Sequence, residues 1–314
     1  MRAIAIYETG SVDTLKYIEV EDPIPASNEV LISVNAIGIN PVDYKVRMIE
    51  EVLHMICGEG YPAILGWDIA GTVESVGSEV TAFNKGDKVF GMVNFPGRGH
   101  AYAEKIVSPE SHLALMPDDV SFEDAAATTL AALTALQVLE TRVKSGDTIL
   151  IHAGSGGVGH FAIQIAKHLG AKVITTCSEK NREFVLSLSA DQHIDYKSQA
   201  FEEIVSDIDF ILDSTGDEKV LLNSIKSSKR GGVIISIPSP QFSDAVLAAA
   251  EAKNIDLSFL LVQSSGKDMN TLRGYLESGV IKAHVSKVFI FEAMAQAHTQ
   301  LESNRTVGKV VVRI

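Results

Sequence analysis

The stretch TILIHAGSGGVGHFAIQIAKHLGAKV, residues 148–173, decides the fold. A short apolar segment runs directly into Gly154-x-Gly156-x-x-Gly159, and apolar residues then recur at helical spacing as far as Leu169. Gly170 follows, where glycine commonly ends a helix, and a second apolar segment begins at once. The order of elements is therefore strand, glycine turn, helix and strand, which is typical of a dinucleotide-binding unit.

The spacing of these three glycines has a physical reason. Glycines let the backbone turn tightly, approach a pyrophosphate closely and pack the helix against the strand. The free N–H groups at the start of the helix then meet the phosphate charge. We predict that Gly154, Gly156 and Gly159 bind a dinucleotide cofactor; the alternative is a tight turn with a structural role only.

The residues after the second strand indicate which dinucleotide binds. An NAD site usually has an acidic residue there to hold the ribose 2′-hydroxyl. Here KVITTC is followed by Ser178, with Lys180 and Arg182 behind it, and a hydroxyl with cations suits a 2′-phosphate. We therefore expect NADP(H). Glu179 keeps NAD as an alternative, because a shift of one residue in the position of the strand end would make it the ribose-binding acid. Lys180 and Arg182 are alternatively helix residues that are simply exposed to solvent. Tyr196 flanks the adenosine or packs internally.

The pattern of apolar and polar residues changes twice along the chain. Residues 1–120 contain short alternating segments such as EVLISVN, typical of antiparallel strands with one wet face. Residues 121–261 alternate helices with compact apolar strands, predicted at 148–153, 172–177, 209–214, 232–237 and 255–260. Residues 262–314 return to mixed helices and strands. We predict an α/β protein in which a doubly wound parallel-sheet (Rossmann) domain, 121–261, interrupts a β-rich domain, 1–120 and 262–314.

A single helix is predicted to join the two domains. Ser121 and Asp124 form a plausible capping pair at its start. Its interior, AAATTLAALTALQVL at 125–139, is rich in small residues that favour close packing.

Composition excludes several classes of protein. The 314 residues include 27 Lys and Arg against 40 Asp and Glu, a net charge of −13. Such a chain is repelled by phosphate backbones and anionic membranes, so we expect no nucleic-acid or membrane partner. No apolar run reaches the roughly 20 residues of a membrane span, and the N-terminus does not resemble a signal peptide. With two cysteines only, a disulfide framework is excluded, and we expect a cytoplasmic protein.

Six further segments carry a resemblance to a known family. They are GINPVDYKVR (38–47), PAILGWDIAGTVESVG (62–77), GDKVFGM (86–92), LTALQVL (133–139), the HAGSGGVG turn and the terminal GKVVVRI. On these segments the chain resembles the zinc-free quinone oxidoreductase branch of the medium-chain dehydrogenase/reductase superfamily. The match runs nearly end to end.

The resemblance implies the fold and several site residues. It implies a GroES-like N-terminal domain, a Rossmann domain and a nicotinamide cleft between them. It places Asn40 and Thr134 beside the nicotinamide and Ser155, Gly157 and Val158 on the pyrophosphate. Around the 2′-phosphorylated ribose it places Ser178, Lys180 and Tyr196, and it brings the loop from Arg305 to Lys309 near the cofactor.

Departures from the zinc alcohol dehydrogenases are informative. Those enzymes have a ligand cysteine where this chain has Asn40, Gly-His-Glu where it has Gly66-Trp67-Asp68, and a second ligand cysteine near Leu130. The four-cysteine structural lobe is missing. Catalytic zinc needs three protein ligands, so we expect no metal. His54 and Cys57 form an isolated H-x-x-C pair with no companion ligand.

Without a metal, the expected reaction is hydride transfer to an acceptor that conjugation already activates, a quinone or an α,β-unsaturated carbonyl. Tyr44 is the best candidate for the proton donor, with Asn40 beside the reacting atoms; alternatively Tyr44 only shapes the pocket, or solvent donates. Lys45 is a weaker candidate donor. Trp67 is predicted to fill the space of a zinc ligand and to contact a flat substrate.

Other functions remain open from the sequence. A same-fold alternative is an enoyl-thioester reductase, although the acidic charge argues against an acyl-carrier partner. A different class is a non-enzymatic NADPH-binding redox sensor. We also expect a homodimer, formed through the apolar edge strand IDLSFLLV (255–262).

Overall fold

The computed structural model describes all 314 residues, which divide into two units. Unit 1 comprises Met1–Leu133 and Val262–Ile314, and unit 2 comprises Thr134–Leu261. No helix combines the length and the apolar character that crossing a bilayer requires.

Strands are numbered in chain order. They are β1 Arg2–Ile6, β2 Lys16–Glu19, β3 Glu29–Ile39, β4 Ala63–Ile64, β5 Asp68–Val76, β6 Lys88–Met92, β7 Lys105–Pro109, β8 Leu113–Leu115, β9 Thr148–Ile151, β10 Lys172–Cys177, β11 Gln192–Asp195, β12 Ile208–Asp213, β13 Ser228–Ser236, β14 Asp256–Phe259, β15 Val285–Ile290 and β16 Lys309–Arg313.

Helices are numbered in the same way. They are α1 Pro41–Met48, α2 Glu50–Cys57, α3 Phe122–Ala127, α4 Leu130–Leu139, α5 Gly159–His168, α6 Arg182–Ser187, α7 Phe201–Ile204, α8 Glu218–Ser227, α9 Asp244–Lys253, α10 Gly266–Glu277 and α11 Met294–Glu302.

Unit 1 is built on a seven-stranded sheet. Its strand order is β15-β16-β3-β5-β6-β8, with β7 also paired to β3, and β2-β1-β4 form a second, small sheet. Over its first half β3 alternates buried and half-buried residues, as EVLISVN predicts for a strand with one wet face. Because β3 runs antiparallel to β16 and β5, its end at Ile39 meets their first residues, Lys309 and Asp68.

Unit 2 is a doubly wound α/β domain. Its six parallel strands have the order β11-β10-β9-β12-β13-β14. Successive strands are added on one side of β9 as far as β11 and on the other side from β12 onward, so the strand order reverses between β9 and β12. Ligands of such sheets bind at the carboxyl ends of the strands at this reversal. All five predicted strands are present within a few residues of their expected bounds, and the predicted fold class is confirmed.

The predicted joining helix is wrong in one respect, because it is two helices. The break falls at Thr128 and Thr129, whose hydroxyls donate to the carbonyls of Asp124 and Ala126. The N–H of Leu130 donates instead to Oδ1 of Asp68 over 3.0 Å, so this carboxylate caps α4. The predicted cap at the first helix is present, since the Ser121 side chain accepts from the Asp124 N–H.

The helix α3 packs on the sheet of unit 1, against β3, β5 and β16. The division between the units therefore falls after Leu133, whereas the sequence placed a domain boundary at 120/121. At the other end unit 2 finishes at Leu261.

Candidate active site

The glycine turn of unit 2 lies between β9 and α5, at the carboxyl edge of the sheet. A Cβ on Gly154 would lie 1.8 Å from Oγ1 of Thr175, and one on Gly159 would lie 2.4 Å from the carbonyl oxygen of Ala153. Both positions therefore need glycine because backbone and strand approach so closely. A Cβ on Gly156 would lie 3.2 Å from the carbonyl oxygen of Ala153, so this position too has little room for a side chain.

The same turn presents free hydrogen-bond donors. The N–H groups of Gly157 and Val158 have no acceptor within the protein, and both residues are half-buried. Ser155 is nearly buried, and its Oγ accepts from Nδ2 of Asn181 over 2.9 Å. Unpaired N–H groups at the start of a helix suit a phosphate, so the turn fits the pyrophosphate of a dinucleotide.

The residues predicted to surround the ribose lie where β10 and β11 end. Ser178 directly follows β10 and is nearly buried, Lys180 is exposed, and Tyr196 directly follows β11 with 60% of its surface exposed. Lys197 places its Nζ 6.0 Å from the centre of the Tyr196 ring. The structure thus gathers the predicted adenosine and ribose residues at one edge of unit 2.

Glu179 does not follow the strand directly. It begins a short 3₁₀ turn, and its carboxylate lies 3.7 Å from Arg182 and 3.8 Å from Nδ1 of His193. Its backbone N–H donates to Oδ1 of Asp195. The carboxylate is thus drawn toward neighbouring cationic and imidazole groups.

His152, which directly follows β9 and precedes the glycine turn, is buried. Its Nε2 lies 3.0 Å from Oγ of Ser224, and its Nδ1 lies 3.1 Å from Oγ1 of Thr176. The Ser224 hydroxyl donates to the Val220 carbonyl, so it accepts from His152, which fixes the proton on Nε2. Burial lowers the pKa of His152 to about 4.

In unit 1, Asn40 precedes the first turn of α1. Pro41 follows it, as suits the first helical position, and the backbone N–H of Asn40 donates to Oδ2 of Asp43 over 2.8 Å. The Asn40 side chain is turned away from the helix, because it bonds Lys309 and Asp68 instead.

A buried cluster of charges surrounds the Asn40 side chain. The Lys309 ammonium, 2% exposed, donates to Oδ1 of Asn40 and to the carbonyl of Ile39, and lies 3.6 Å from Oδ2 of Asp68. The Nδ2 of Asn40 donates to the same Asp68 oxygen over 2.8 Å. Burial lowers the pKa of Lys309 and raises that of Asp68, and the charge of each partner opposes the shift of the other.

A second buried network starts at Asp43 and leads away from this cluster. The Tyr102 hydroxyl donates to Oδ1 of Asp43, and Nε2 of His298 lies 2.8 Å from that hydroxyl. Nε of Arg47 donates to Nδ1 of His298 over 3.3 Å, and Arg47 also contacts Glu302. Because arginine can only donate, Nδ1 of His298 accepts and its proton lies on Nε2.

Asp43 and His298 of this network have pKa shifts of opposite direction. Burial, together with the charge of Asp68, raises the pKa of Asp43 to about 7 despite the Tyr102 bond. Burial and then the charge of Arg47 lower the pKa of His298 to about 3, so its imidazole is neutral. The donors therefore all point along the network toward the Asp43 carboxylate.

The candidate proton donors lie on α1 beside Asp43. Tyr44 and Lys45 are half-buried, and the Tyr44 hydroxyl makes no hydrogen bond within the protein. Burial raises the pKa of Tyr44 and lowers that of Lys45. Tyr44 is thus a neutral phenol that can donate to a ligand.

Trp67 is completely buried. Its Nε1 donates to the carbonyl of Gly97 over 2.8 Å, and its ring packs edge-on against Phe95 at 5.2 Å. This burial fits the predicted space-filling role but leaves no ring surface for the predicted contact with a flat substrate.

Thr134 is buried within α4, and Arg305 is exposed on the loop before β16. Burial raises the pKa of Cys57 to about 11, so its thiol is not activated. His54 lies 3.6 Å from Glu50, and no three His, Cys, Asp or Glu side chains of the chain lie close enough to hold a metal.

Sequence reasoning missed the roles of Lys309, Tyr102 and His298. Lys309 was noted only as the end of a loop, and its burial follows from the pairing of β16 with β3. Nothing local marks Tyr102 or His298, since their contact spans 196 positions.

Comparison with known proteins agrees with this architecture. The family described as "Alcohol dehydrogenase GroES-like domain" matches residues 26–118, and the family described as "Zinc-binding dehydrogenase" matches residues 188–312. The 2-methylene-furan-3-one reductase of Solanum lycopersicum is 34% identical over 328 residues, which cover 99% of this chain and 79% of that protein.

Two solved structures are similar over the whole chain. The quinone oxidoreductase from Coxiella burnetii has a TM-score of 0.93 and 34% identity, with 100% of this chain and 99% of that chain covered. The Escherichia coli quinone oxidoreductase complexed with NADPH has a TM-score of 0.88 and 26% identity, with 100% of both chains covered.

Proposed function

Because this chain belongs to the medium-chain dehydrogenase/reductase family, we propose that it transfers a hydride from NADPH to a quinone or to the conjugated double bond of an α,β-unsaturated carbonyl. The observation that carries the proposal is the donor set around Asn40. Where zinc dehydrogenases bind their metal, this chain holds an amide, a carboxylate and a buried ammonium. That set does not fit zinc, so the acceptor is activated by its own conjugation.

The cofactor part of the proposal rests on unit 2. The glycine turn, with the open N–H groups of Gly157 and Val158, fits a pyrophosphate, and α5 adds the positive end of its dipole. When bound, the nicotinamide supplies the hydride. The E. coli relative was solved with NADPH, which supports a dinucleotide of this kind here.

The preference for NADP(H) over NAD(H) rests on the ends of β10 and β11. A hydroxyl at Ser178 and the ammonium groups of Lys180 and Lys197 suit a 2′-phosphate. Glu179, the first acid after β10, lies against Arg182 and His193 instead of standing free for a 2′-hydroxyl.

The substrate part of the proposal rests on unit 1. Hydride addition to a conjugated carbon moves an electron pair onto the carbonyl oxygen, and that oxygen or the adjacent carbon then takes a proton. Tyr44 offers a neutral phenol with no partner in the protein, so we assign it as a proton donor, with solvent as the alternative. Asn40 offers one amide N–H, since the other donates to Asp68.

A homodimer and a cytoplasmic location complete the proposal. The strand β14 lies at the open edge of the unit 2 sheet, where its backbone can pair with a second copy. Light scattering at micromolar concentration tests this, since a mass near 33.7 kDa would show a monomer. The cytoplasmic location stays a prediction.

The proposed activity is tested on purified, chelator-treated protein. Loss of NADPH and of NADH absorbance is followed with 9,10-phenanthrenequinone and with a short alkenal. Turnover with NADPH that survives chelation is the expected result. Tight NADPH binding without turnover of either acceptor would instead favour the redox-sensor alternative, and no NADPH binding would contradict the assignment of the glycine turn.

A further inference from the structure

The buried ammonium of Lys309 is built into the sheet of unit 1. Gly308 has a left-handed backbone with φ of +63°, and a Cβ there would lie 2.1 Å from the carbonyl of His284. The next N–H, that of Lys309, donates to the same carbonyl over 2.9 Å. This turn fixes where β16 begins, and the pairing of Val310 with Ile39 sets the ammonium beside Asn40.

The family description implies a zinc ion, and the residues at the corresponding positions do not fit one. Asn40 and Leu130 offer no anionic or imidazole ligand, and Nε1 of Trp67 is a donor bound to Gly97. The one carboxylate, Asp68, already accepts from the Leu130 N–H and the Asn40 amide. The Lys309 ammonium already faces Oδ1 of Asn40 and Oδ2 of Asp68, so a zinc ion at these oxygens would be repelled by its charge.

We propose that Lys309 takes the place of the metal as a fixed internal cation and acts as a positioning residue for Asn40. An ammonium can only donate and a carboxylate can only accept. Oδ1 of Asn40 must therefore face Lys309, and Nδ2 must face Asp68, so the amide has a single orientation.

This orientation has a consequence for the reaction, and here the inference rests on the proposed function. One N–H of Nδ2 donates to Asp68, so under the proposed function the second is the N–H that meets the substrate. Hydride addition breaks the carbon–carbon π bond of an enone, and its electron pair develops as charge on the carbonyl oxygen. An amide N–H whose carbonyl end is bound to an ammonium is a stronger donor to that oxygen. The proton that completes the reduction comes from Tyr44 or solvent.

The kinetic test is a double-mutant cycle of Lys309→Met and Asn40→Ala, with Lys287→Met on the exposed strand β15 as the control. Each single variant should lower kcat about 10–100-fold with little change in the KM for NADPH. If Lys309 acts through Asn40, the double variant should be no slower than the slower single variant. Lys287→Met should match the wild type.

Two kinetic results would overturn the inference. One is a folded Lys309→Met protein with the kcat of the wild type. The other is a double variant whose loss of kcat equals the product of the losses in the two single variants. A purely structural role lowers the melting temperature without this coupling, so melting curves accompany each measurement. If Lys309→Met does not fold, Lys309→Gln, which keeps a polar group in the cluster, takes its place in the cycle.

A metal-binding arm separates failure of this inference from failure of the proposed function. Wild-type protein and Asp68→Asn are dialysed against Zn²⁺, and bound zinc is measured by mass spectrometry. We expect the protein to bind no zinc through Asp68. One zinc per chain in the wild type, lost in Asp68→Asn, would overturn it whether or not the protein reduces quinones. If the wild type neither binds zinc through Asp68 nor reduces either acceptor, the kinetic role of Lys309 and the proposed function are both contradicted. The conclusion that Lys309 occupies the position of the metal still holds in that case.

Discussion

The Tyr102 hydroxyl donates a 2.8 Å hydrogen bond to Oδ1 of Asp43, which is completely buried. Behind Tyr102, the neutral imidazole of His298 donates in the same direction, and Arg47 donates to His298. The accepting end of this network is therefore at the first turn of α1, beside Asn40 and Tyr44. Since Lys309 and Asp68 lie on the other side of Asn40, this short helix start is held by two buried polar networks.

Tyr102→Phe should destabilise the protein by about 1–3 kcal/mol. The change removes one donor from Asp43 and leaves the Nε2 proton of His298 without an acceptor, and both groups are buried. Denaturant unfolding of the variant and the wild type measures the difference. The control is Tyr7→Phe, at an exposed position, which should stay within about 0.5 kcal/mol. Equal stability of Tyr102→Phe and Tyr7→Phe would show that the network adds nothing.

Acid should destabilise the protein through His152. Histidine in an unfolded chain has a pKa of about 6.5, whereas burial lowers that of folded His152 to about 4. Between these values the unfolded chain binds more protons, so this group's contribution is complete above pH 6.5 and is lost progressively as the pH falls toward 4, by roughly 3 kcal/mol at most. Melting temperatures measured across this range should fall less steeply in His152→Gln. The control His54→Gln, at an exposed helix position, should parallel the wild type, and a parallel His152→Gln curve would contradict the assignment.

Unit 2 could be predicted from the sequence because its signals are local. The glycine turn, the helix after it and the second strand occupy 26 consecutive residues, 148–173, and each step has its own residue pattern. The apolar strands also have no polar face, as central parallel strands require. The position of Ser178 follows directly, since it comes immediately after β10.

The cluster in unit 1 could not be predicted because its contacts are distant in the chain. Lys309 and Asn40 are 269 positions apart, and a lysine at the start of a strand ordinarily lies in water. The break between α3 and α4 has a similar cause. Its threonines lie in a run of helix-forming residues, and Asp68, which caps the second helix, is 62 positions earlier.

Gly154→Ala should abolish NADPH binding and lower the melting temperature. Its new Cβ would lie 1.8 Å from Oγ1 of Thr175, so either the turn or β10 must move. The matched control is Gly274→Ala within α10, where nothing lies within 4 Å of the new methyl group. That change should stabilise the protein by about 0.5–1 kcal/mol, because alanine favours helix more than glycine does. Fluorescence titration with NADPH and thermal melting distinguish the two, and full NADPH affinity in Gly154→Ala would contradict the role of the turn.

Lys180→Ala should weaken NADPH binding about tenfold and leave NADH binding unchanged. The exposed Lys180 follows β10 by three positions, beside Ser178, and a charge-assisted bond to a 2′-phosphate contributes about 1.5–3 kcal/mol. Since about 1.4 kcal/mol corresponds to a factor of ten, solvent exposure still leaves a measurable effect. The matched control is Lys219→Ala on the exposed face of α8, which removes the same charge elsewhere in unit 2. Dissociation constants for both dinucleotides, measured at two salt concentrations, test the assignment. An equal loss of affinity for NADPH and NADH would mean that Lys180 does not bind the 2′-phosphate. Specificity for NADPH would then have to come from Lys197 or Ser178.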